Sequence, residues 1–363
     1  MVKIKKMAKR MKRMKTRMIS WLLVSVMAVF CLAGFSSDAA ENGSGLTSEE
    51  DNVVVRIVLD AGHGGPGTED VSELGATYQG LYEKDLTLVL AMAVGAELST
   101  YGNVEVYYTR TEDTAMSLAE RADYAALVGA DYLISIHLNA SEQHNFYGSE
   151  VFTSAFGNEA VYGQCLGKSI LNELVDYGFT SKGVKTRLGS SGSDYYGIIR
   201  RCREYGIPAI IVEHGYMDEV TDWARMDSPE ELSEIAVKDA QGIASFLGLK
   251  KGEVQTALPD PDLSSYSSAI VLPDTTAPES AAYTLTRVDA STVQVTVSAV
   301  ENESSLLYYG YSTDGGITWA RLGLFLDGAD RATFSISLPE EQEGNLRVVV
   351  YNNYELSTEA VRW

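Results

Sequence analysis

The sequence predicts an α/β fold with a mostly parallel sheet flanked by helices, followed by a small C-terminal β-sandwich domain. Two observations support this prediction. Between residues 53 and 247, short β-branched apolar runs alternate with segments of helical apolar spacing, which is typical of parallel βαβ units. After residue 282 only short alternating segments between turn residues occur, which is typical of a sandwich.

The first part of the chain contains five predicted strands and four predicted helices. Asp85 is the candidate N-cap of the first helix, and Ser117-Leu-Ala-Glu120 is a capping box that opens the second. The strands are expected at 53–59, 104–109, 132–137, 150–153 and 209–213, and the helices at 86–98, 117–128, 159–177 and 231–247.

The second part begins after a proline-rich segment. Residues 251–281 hold four prolines among Ser, Asp and Thr without sustained periodicity, so we expect a linker. Residues 282–363 are expected to form an immunoglobulin-like or fibronectin-like sandwich with strands at 283–288, 292–297, 306–312, 332–336 and 346–351. Asp314 and Trp319 lie in a segment that resembles an Asp-box turn, which indicates a folded hairpin and no activity.

The N-terminus has the composition of an export signal. Residues 3–17 carry nine Lys or Arg and no acid, and residues 18–35 form an uncharged apolar stretch of 18 residues. Small residues at Ser37 and Ala39 suit signal peptidase, so residues 1–39 are expected to be a signal peptide and 40–52 a tether. The alternative is an uncleaved signal anchor, since 18 apolar residues are just long enough to span a bilayer. Either way the protein is expected in the cell envelope or outside the cell.

The charge of the chain limits its partners. The net charge of −21 becomes −29 when the nine bases and one acid of residues 1–39 are removed. Such an acidic surface argues against nucleic acid as a partner. Membrane contact is expected only through the N-terminal segment if it is uncleaved, and we expect a monomer. Cys165 and Cys202 do not make a disulfide framework, and each is expected to be a small buried hydrophobe.

Two histidines follow predicted strands at the edge where parallel sheets collect their chemistry. His63 lies in Asp60-Ala-Gly-His-Gly-Gly, and His137 ends the third strand. Glu83 lies between them in the chain, and two imidazoles with one carboxylate are a plausible zinc site with a position open for water. Taken singly, each of the three has an ordinary structural explanation. The glycines around His63 also satisfy a dinucleotide-binding pattern, but acids and no clear helix follow, so we expect them to turn the backbone instead.

Glu213 directly follows a buried apolar run. A carboxylate there is costly to bury unless it is paired, protonated or bound to a polarised water. Residue type alone leaves two explanations open, an ion pair with Arg110 or Arg200 and a general base.

Five separated motifs resemble the zinc-dependent N-acetylmuramoyl-L-alanine amidases of the cell-wall amidase type 3 family. The motifs begin at Leu59, Gly80, Tyr108, Ser135 and Pro208, and the resemblance runs from about residue 55 to 247. It implies an amidase domain over 53–250 with Zn²⁺ held by His63, Glu83 and His137 and with Glu213 as the catalytic residue. It further implies peptidoglycan as the substrate and cleavage of the amide between the lactyl group of N-acetylmuramic acid and L-alanine.

Two further residues are expected near the substrate. Asn139 follows His137, and His214 stands where the family usually has an apolar or small residue, so His214 is expected to contact substrate or to support the site from behind. Arg110 and Arg121 recur in the family pattern and are expected to be structural. Two alternatives to amidase activity stay open, a zinc peptidase acting within stem peptides and an inactive envelope-binding protein.

Overall fold

The computed structural model describes residues 53–66, 73–270, 272–326 and 328–363. They form two compact units that divide between Leu272 and Pro273. The predicted signal segment 1–39 and tether 40–52 lie outside the described residues. Within the described ranges, no helix is both long and apolar enough to cross a membrane.

The first unit contains a six-stranded sheet with the strand order β4-β1-β5-β8-β6-β7. Strands β4, β1, β5 and β8 are mutually parallel, whereas β6 runs antiparallel to β8 and parallel to β7. The prediction of a mostly parallel sheet is confirmed. The strands, with the β2–β3 hairpin, are β1 (Val55–Ala61), β2 (Thr77–Tyr78), β3 (Leu81–Tyr82), β4 (Val104–Tyr108), β5 (Tyr132–Asn139), β6 (Ser149–Thr153), β7 (Ser181–Lys185) and β8 (Ala209–Tyr216).

Helices cover both faces of this sheet. One face packs a core that includes Leu59, Leu86 and Ile243, and the other packs Val58, Leu133 and Ile198. Burial of this apolar surface stabilises the layers. The helices are α1 (Glu83–Leu98), α2 (Leu118–Leu127), α3 (Gly157–Tyr177), α4 (Gly197–Glu204), α5 (Val220–Trp223) and α6 (Pro229–Leu247).

Helix starts show where local sequence decides the structure. The capping box at Ser117 is confirmed, since the Glu120 amide donates to Ser117 Oγ and the Ser117 amide donates to Glu120 Oε2 over 2.8 Å. The predicted N-cap Asp85 is wrong, because α1 begins at Glu83 after Tyr82 and Asp85 lies in its first turn. An acid in the first turn is still favoured by the helix dipole.

Five elements of the first unit were not predicted, namely the short strands β2, β3 and β7 and the helices α4 and α5. Strand β7 reads Ser-Lys-Gly-Val-Lys, and helix α4 is only 8 residues long with three arginines. Strand β7 has no apolar run, and helix α4, although it buries Ile198, Ile199 and Cys202, is too short for its apolar spacing to identify it in the sequence.

The second unit contains two four-stranded sheets, with orders β13-β10-β9-β16 and β12-β11-β14-β15. Val295 of one sheet and Val348 of the other belong to one core, so the two sheets form a sandwich. The strands are β9 (Ser280–Arg287), β10 (Thr292–Val300), β11 (Leu306–Ser312), β12 (Gly323–Leu324), β13 (Arg331–Ser337), β14 (Arg347–Asn352), β15 (Ser357–Glu359) and β16 (Val361–Arg362). Strands β12, β15 and β16 are two or three residues long and were not predicted.

The turn after β11 forms as its sequence indicates. Asp314 Oδ1 accepts hydrogen bonds from the amides of Ile317 (3.0 Å) and Thr318 (2.9 Å). Of the tyrosines in this unit, Tyr308 is fully buried and Tyr309 stacks on Phe334 with ring centroids 4.5 Å apart. These contacts stabilise the sandwich.

Part of the segment predicted as a linker packs against the first unit. The Gln255 amide donates to Asn103 Oδ1 over 2.6 Å, and Gln164 Nε2 donates to the Ser267 carbonyl over 2.8 Å. Leu258 and Leu263 pack on the apolar core that contains α1 and α6.

Candidate active site

The structure brings the three sequence-predicted metal ligands together at the carboxyl edge of the sheet. Ligand atoms of His63, Glu83 and His137 all lie within 4.8 Å of one another. Glu83 Oε2 lies 3.2 Å from His63 Nε2, and Glu83 Oε1 lies 2.9 Å from His137 Nδ1. Residues that are 74 positions apart in the chain therefore form one cluster of two imidazoles and a carboxylate.

The glycine loop after β1 makes this approach possible. His63 has φ 59° and is followed by Gly64 and Gly65 with φ 120° and 114°, a left-handed run that favours glycine. A Cβ at Gly62 would lie 2.4 Å from the His137 ring. No α-helix begins in the described part of this loop.

Two buried arginines hold this loop. Arg110 donates to the carbonyls of Ala61 (2.9 Å) and Gly62 (2.9 Å), and Arg121 donates to the carbonyl of His63 (2.6 Å). Arg121 also pairs with Asp60 at 2.6 Å. These contacts fit the structural roles expected for both arginines.

The acid partners of the loop are ionised. Burial raises the pKa of Asp60, but Arg121, Ser135 and Thr109 outweigh it and hold that pKa below its ordinary value. Burial likewise raises the pKa of Glu83, and the hydrogen bonds from His137 and His63 lower it far below its usual range. The cluster therefore presents a carboxylate to the two imidazoles.

Glu213 lies beside this cluster. It pairs in register with His137 on neighbouring parallel strands, so both side chains lie on the same face of the sheet. Its Oε2 is buried without a hydrogen-bond partner. Arg110 and Arg200 donate to backbone carbonyls instead, so the alternative of an ion pair with either of them is wrong. Burial, then Glu83 and Glu150, raise the pKa of Glu213 well above its ordinary value.

A buried ion cluster behind Glu213 was not predicted. Glu150 faces Glu213 on β6, and its carboxylate contacts the ammonium groups of Lys182 (3.3 Å) and Lys185. Both lysines are at most 2% exposed. Because lysine is rarely buried, nothing in the sequence distinguishes these two from surface residues.

His63, His137 and Glu213 line a cleft of about 590 Å³. Leu118 and Ile198 are among its apolar lining residues. Such a cleft suits a substrate with a polarisable carbonyl and small alkyl groups.

The two predicted substrate contacts have other partners. Asn139 Nδ2 donates to Glu150 over 2.6 Å, and its Oδ1 accepts from the Ala140 amide. His214 is fully buried on the opposite face of β8, between the His137 carbonyl (3.1 Å) and Asp239 (2.8 Å). Of the two roles expected for His214, its contacts fit support of His137 from behind.

Comparison with known proteins agrees with this geometry. A family model of N-acetylmuramoyl-L-alanine amidase matches residues 57–245, which include His63, Glu83, His137 and Glu213. The chain belongs to the N-acetylmuramoyl-L-alanine amidase family.

Named members of the family are similar along the same region. The N-acetylmuramoyl-L-alanine amidase CwlM of Bacillus licheniformis is 33% identical over 199 residues, 54% of this chain and 71% of CwlM. The sporulation-specific N-acetylmuramoyl-L-alanine amidase of Bacillus subtilis is 31% identical over 199 residues, 54% of this chain and 70% of the relative. The catalytic domain of CwlV from Bacillus (Paenibacillus) polymyxa is 27% identical with a TM-score of 0.46, covering 54% of this chain and 100% of that domain.

Proposed function

We propose that this protein is a zinc-dependent N-acetylmuramoyl-L-alanine amidase that hydrolyses the amide between the lactyl group of N-acetylmuramic acid and L-alanine in peptidoglycan. One observation carries the proposal. A buried carboxylate oxygen of Glu213 without a partner lines the same cleft as His63 and His137. Membership of the amidase family supports the reaction class.

The donor set supports zinc as the metal. Zinc in catalytic sites takes imidazole nitrogen and carboxylate oxygen from three protein ligands, and His63, Glu83 and His137 offer this set within 4.8 Å. The Glu83 carboxylate also accepts hydrogen bonds of the kind that orient metal ligands. Glu83 accepts hydrogen bonds from the amides of Ala76 (2.7 Å) and Leu138 (3.0 Å).

The metal, Glu213 and the apolar residues of the cleft each have a separate role in the hydrolysis. When bound, zinc supplies a Lewis acid that polarises water and the amide carbonyl. Glu213 Oε2 accepts the proton of the attacking water and delivers it to the departing L-alanine nitrogen. Leu118 and Ile198 bound the apolar part of the cleft, which fits the methyl groups of the lactyl and alanyl units. The products are a glycan strand and a free stem peptide.

The proposal extends to where the protein acts. The amidase acts in the cell envelope or outside the cell, after export through residues 1–39. Peptidoglycan is its partner, and a monomer suffices because one chain supplies His63, Glu83, His137 and Glu213.

Digestion of purified peptidoglycan by residues 41–363, with and without a chelator, tests the function. New N-terminal L-alanine that disappears with chelator and returns with zinc is the expected result. New N-termini at other stem residues would indicate the zinc peptidase instead. No new N-terminus would contradict both and leave an envelope-binding protein.

A further inference from the structure

Arg187 contacts two tyrosines, one of which lines the cleft. Its guanidinium carbon lies 3.9 Å from the centre of the Tyr195 ring, and its side chain is hydrogen-bonded to Tyr196. The Tyr196 ring lines the cleft. Burial raises the pKa of Tyr196 most, and the nearby charge of Glu213 raises this pKa further. Arg187 is therefore one tyrosine away from the proposed catalytic carboxylate.

The segment that carries Arg187 is held by backbone and side-chain hydrogen bonds. Leu188 and Asp194 form an antiparallel bridge, and the Tyr195 amide donates to the Arg187 carbonyl over 2.8 Å. Asp194 is 2% exposed and accepts hydrogen bonds from Ser154 Oγ and the Ala155 amide, both over 2.9 Å. A side chain on such a segment loses little freedom when it binds a ligand.

Arg187 contacts no acidic side chain among the described residues of the first unit. Each other arginine described between residues 53 and 270 forms an ion pair with a carboxylate or donates to a backbone carbonyl, whereas the contacts of Arg187 are its two tyrosines. Those other arginines are Arg56, Arg110, Arg121, Arg200, Arg201, Arg203 and Arg225. In a chain with 50 acidic and 29 basic residues, an exposed arginine without an acid partner among the described residues points to an external anion.

Acidic side chains outnumber basic ones in the lining of the cleft. Glu73, Glu120 and Glu213 line it, and these acids disfavour a substrate carboxylate in its centre. Directly after Tyr196, helix α4 begins at Gly197 without a side-chain cap, and its first amides add partial positive charge to that of Arg187. A planar guanidinium matches a carboxylate with two parallel hydrogen bonds.

We propose that Arg187 is a specificity-determining residue that binds a free carboxylate of the stem peptide beyond L-alanine. The inference rests on the proposed amidase function, because it concerns the substrate of the same cleft. Stem residues after L-alanine carry carboxylates that can be free or amidated, so Arg187 makes the enzyme prefer the free form.

The test compares matched substrates. One pair is N-acetylmuramoyl-L-alanyl-D-glutamate and its D-isoglutamine counterpart, and the other is a muramoyl tripeptide with the diaminopimelate carboxylate free or amidated. In the full chain, Arg187→Gln is expected to raise KM about tenfold for the free-carboxylate member of one pair, with kcat within about twofold. The amidated member keeps its wild-type KM, and Arg187→Lys recovers part of the loss because it keeps the charge without the fork.

Arg201→Gln is the matched control. Arg201 also lies over a tyrosine ring, 5.2 Å from the centre of Tyr205, and its loss changes the net charge equally. Its guanidinium is already paired with Asp123 and Glu204, so the variant should leave KM unchanged for every substrate.

Calorimetric titration of the same pairs separates this inference from the amidase assignment. Weaker binding of the free-carboxylate member alone by Arg187→Gln supports the inference even if wild-type protein hydrolyses neither member, a result that would count against the amidase assignment only. Equal effects of Arg187→Gln on both members of both pairs overturn the inference, whatever the turnover.

Discussion

Glu150 and Glu213 face each other on adjacent antiparallel strands, so two carboxyl groups share one row of the sheet. Their partners differ. The Glu150 carboxylate contacts two buried lysines, whereas Glu213 Oε2 has no hydrogen-bond partner. The row thus holds one carboxylate that is neutralised by its neighbours and one that is free to exchange a proton.

Replacing Glu213 with glutamine should remove turnover and leave metal binding intact. The amide has nearly the same shape but cannot accept a proton, so the rate of L-alanine release should fall by about 10²–10⁴. Zinc content measured after gel filtration should equal that of the wild type. Glu142→Gln, on an exposed loop, is the control. A Glu213→Gln protein with an unchanged rate would refute the role proposed for this residue.

Replacing Glu150 with glutamine should destabilise the first unit by about 3–5 kcal/mol, because the buried ammonium groups of Lys182 and Lys185 would lose the carboxylate that they contact. Urea unfolding measures this loss. The control is Glu173→Gln, whose partner Lys238 is 25% exposed, and there a loss below about 1 kcal/mol is expected. Similar losses for the two variants would show that the buried cluster has no special weight.

The ionisation of Glu150 adds a pH dependence. Burial raises the pKa of Glu150, but Lys182 and Lys185 lower it to about 2 from an ordinary 4.5. A lowered pKa stabilises the folded state above the unfolded value, and this contribution is lost as the pH falls from about 4.5 towards 2. The stability difference between wild type and Glu150→Gln should therefore shrink in acid.

Periodicity predicted the frame of the first unit but not all of its site. The buried strands before His63, His137 and Glu213 are apolar runs that can be recognised in the sequence. Because these strands are parallel, their carboxyl ends meet at the same edge of the sheet. Lys182 and Lys185 could not be predicted, since their burial depends on Glu150, a residue 32 positions away from Lys182. Pairing across a sheet leaves no local signal in either segment.

The position of His214 was also not predicted correctly as a substrate contact. Its neighbourhood in the chain suggested a substrate contact, but side chains alternate along a strand. Glu213 lies on the cleft face of the sheet. His214, the next residue, therefore points to the opposite face, where its ring is hydrogen-bonded to Asp239 of α6. Alternation alone would have predicted this outcome once Glu213 was assigned to the cleft.

An alanine at Gly62 should weaken zinc binding. The added Cβ would lie 2.4 Å from the His137 ring, so the ring must leave its place beside Glu83. We expect a loss of zinc affinity of about tenfold or more, measured by competition with a chromogenic chelator. Gly189→Ala is the control, because the nearest atom to its Cβ is 3.7 Å away. Equal affinities for the two variants would mean that His137 is not needed for the metal.

Asparagine at position 222 should stabilise the protein increasingly as the pH rises above about 4. Asp222 Oδ2 accepts from the amides of Gly148 (2.6 Å) and Tyr216 (3.0 Å), yet burial raises the pKa of this carboxyl from 3.8 to about 6. A raised pKa gives stability that is present below 3.8 and lost as the pH rises through 6. An asparagine oxygen can accept both bonds without ionising.

The expected result is a difference that depends on pH. Asp222→Asn should match the wild type at pH 4 and exceed its free energy of unfolding by about 2–3 kcal/mol at pH 8. Asp176→Asn, at an exposed position of α3, should change stability little at either pH. A constant difference between pH 4 and pH 8 would contradict the raised pKa.

Truncation should show that the first unit extends beyond its last helix. Residues 53–272 keep the hydrogen bonds of Gln255 with Asn103 and of Ser267 with Gln164, as well as the apolar contact of Leu258, whereas residues 53–251 lose all three. Loss of these four hydrogen bonds and of buried leucine surface amounts to several kcal/mol, so thermal unfolding of 53–251 is expected roughly 10 °C below that of 53–272. Peptidoglycan hydrolysis by 53–272 should stay within about twofold of that by 53–363, because the cleft residues all precede position 214. Equal unfolding temperatures for the two truncated proteins would mean that residues 252–272 only connect the two units.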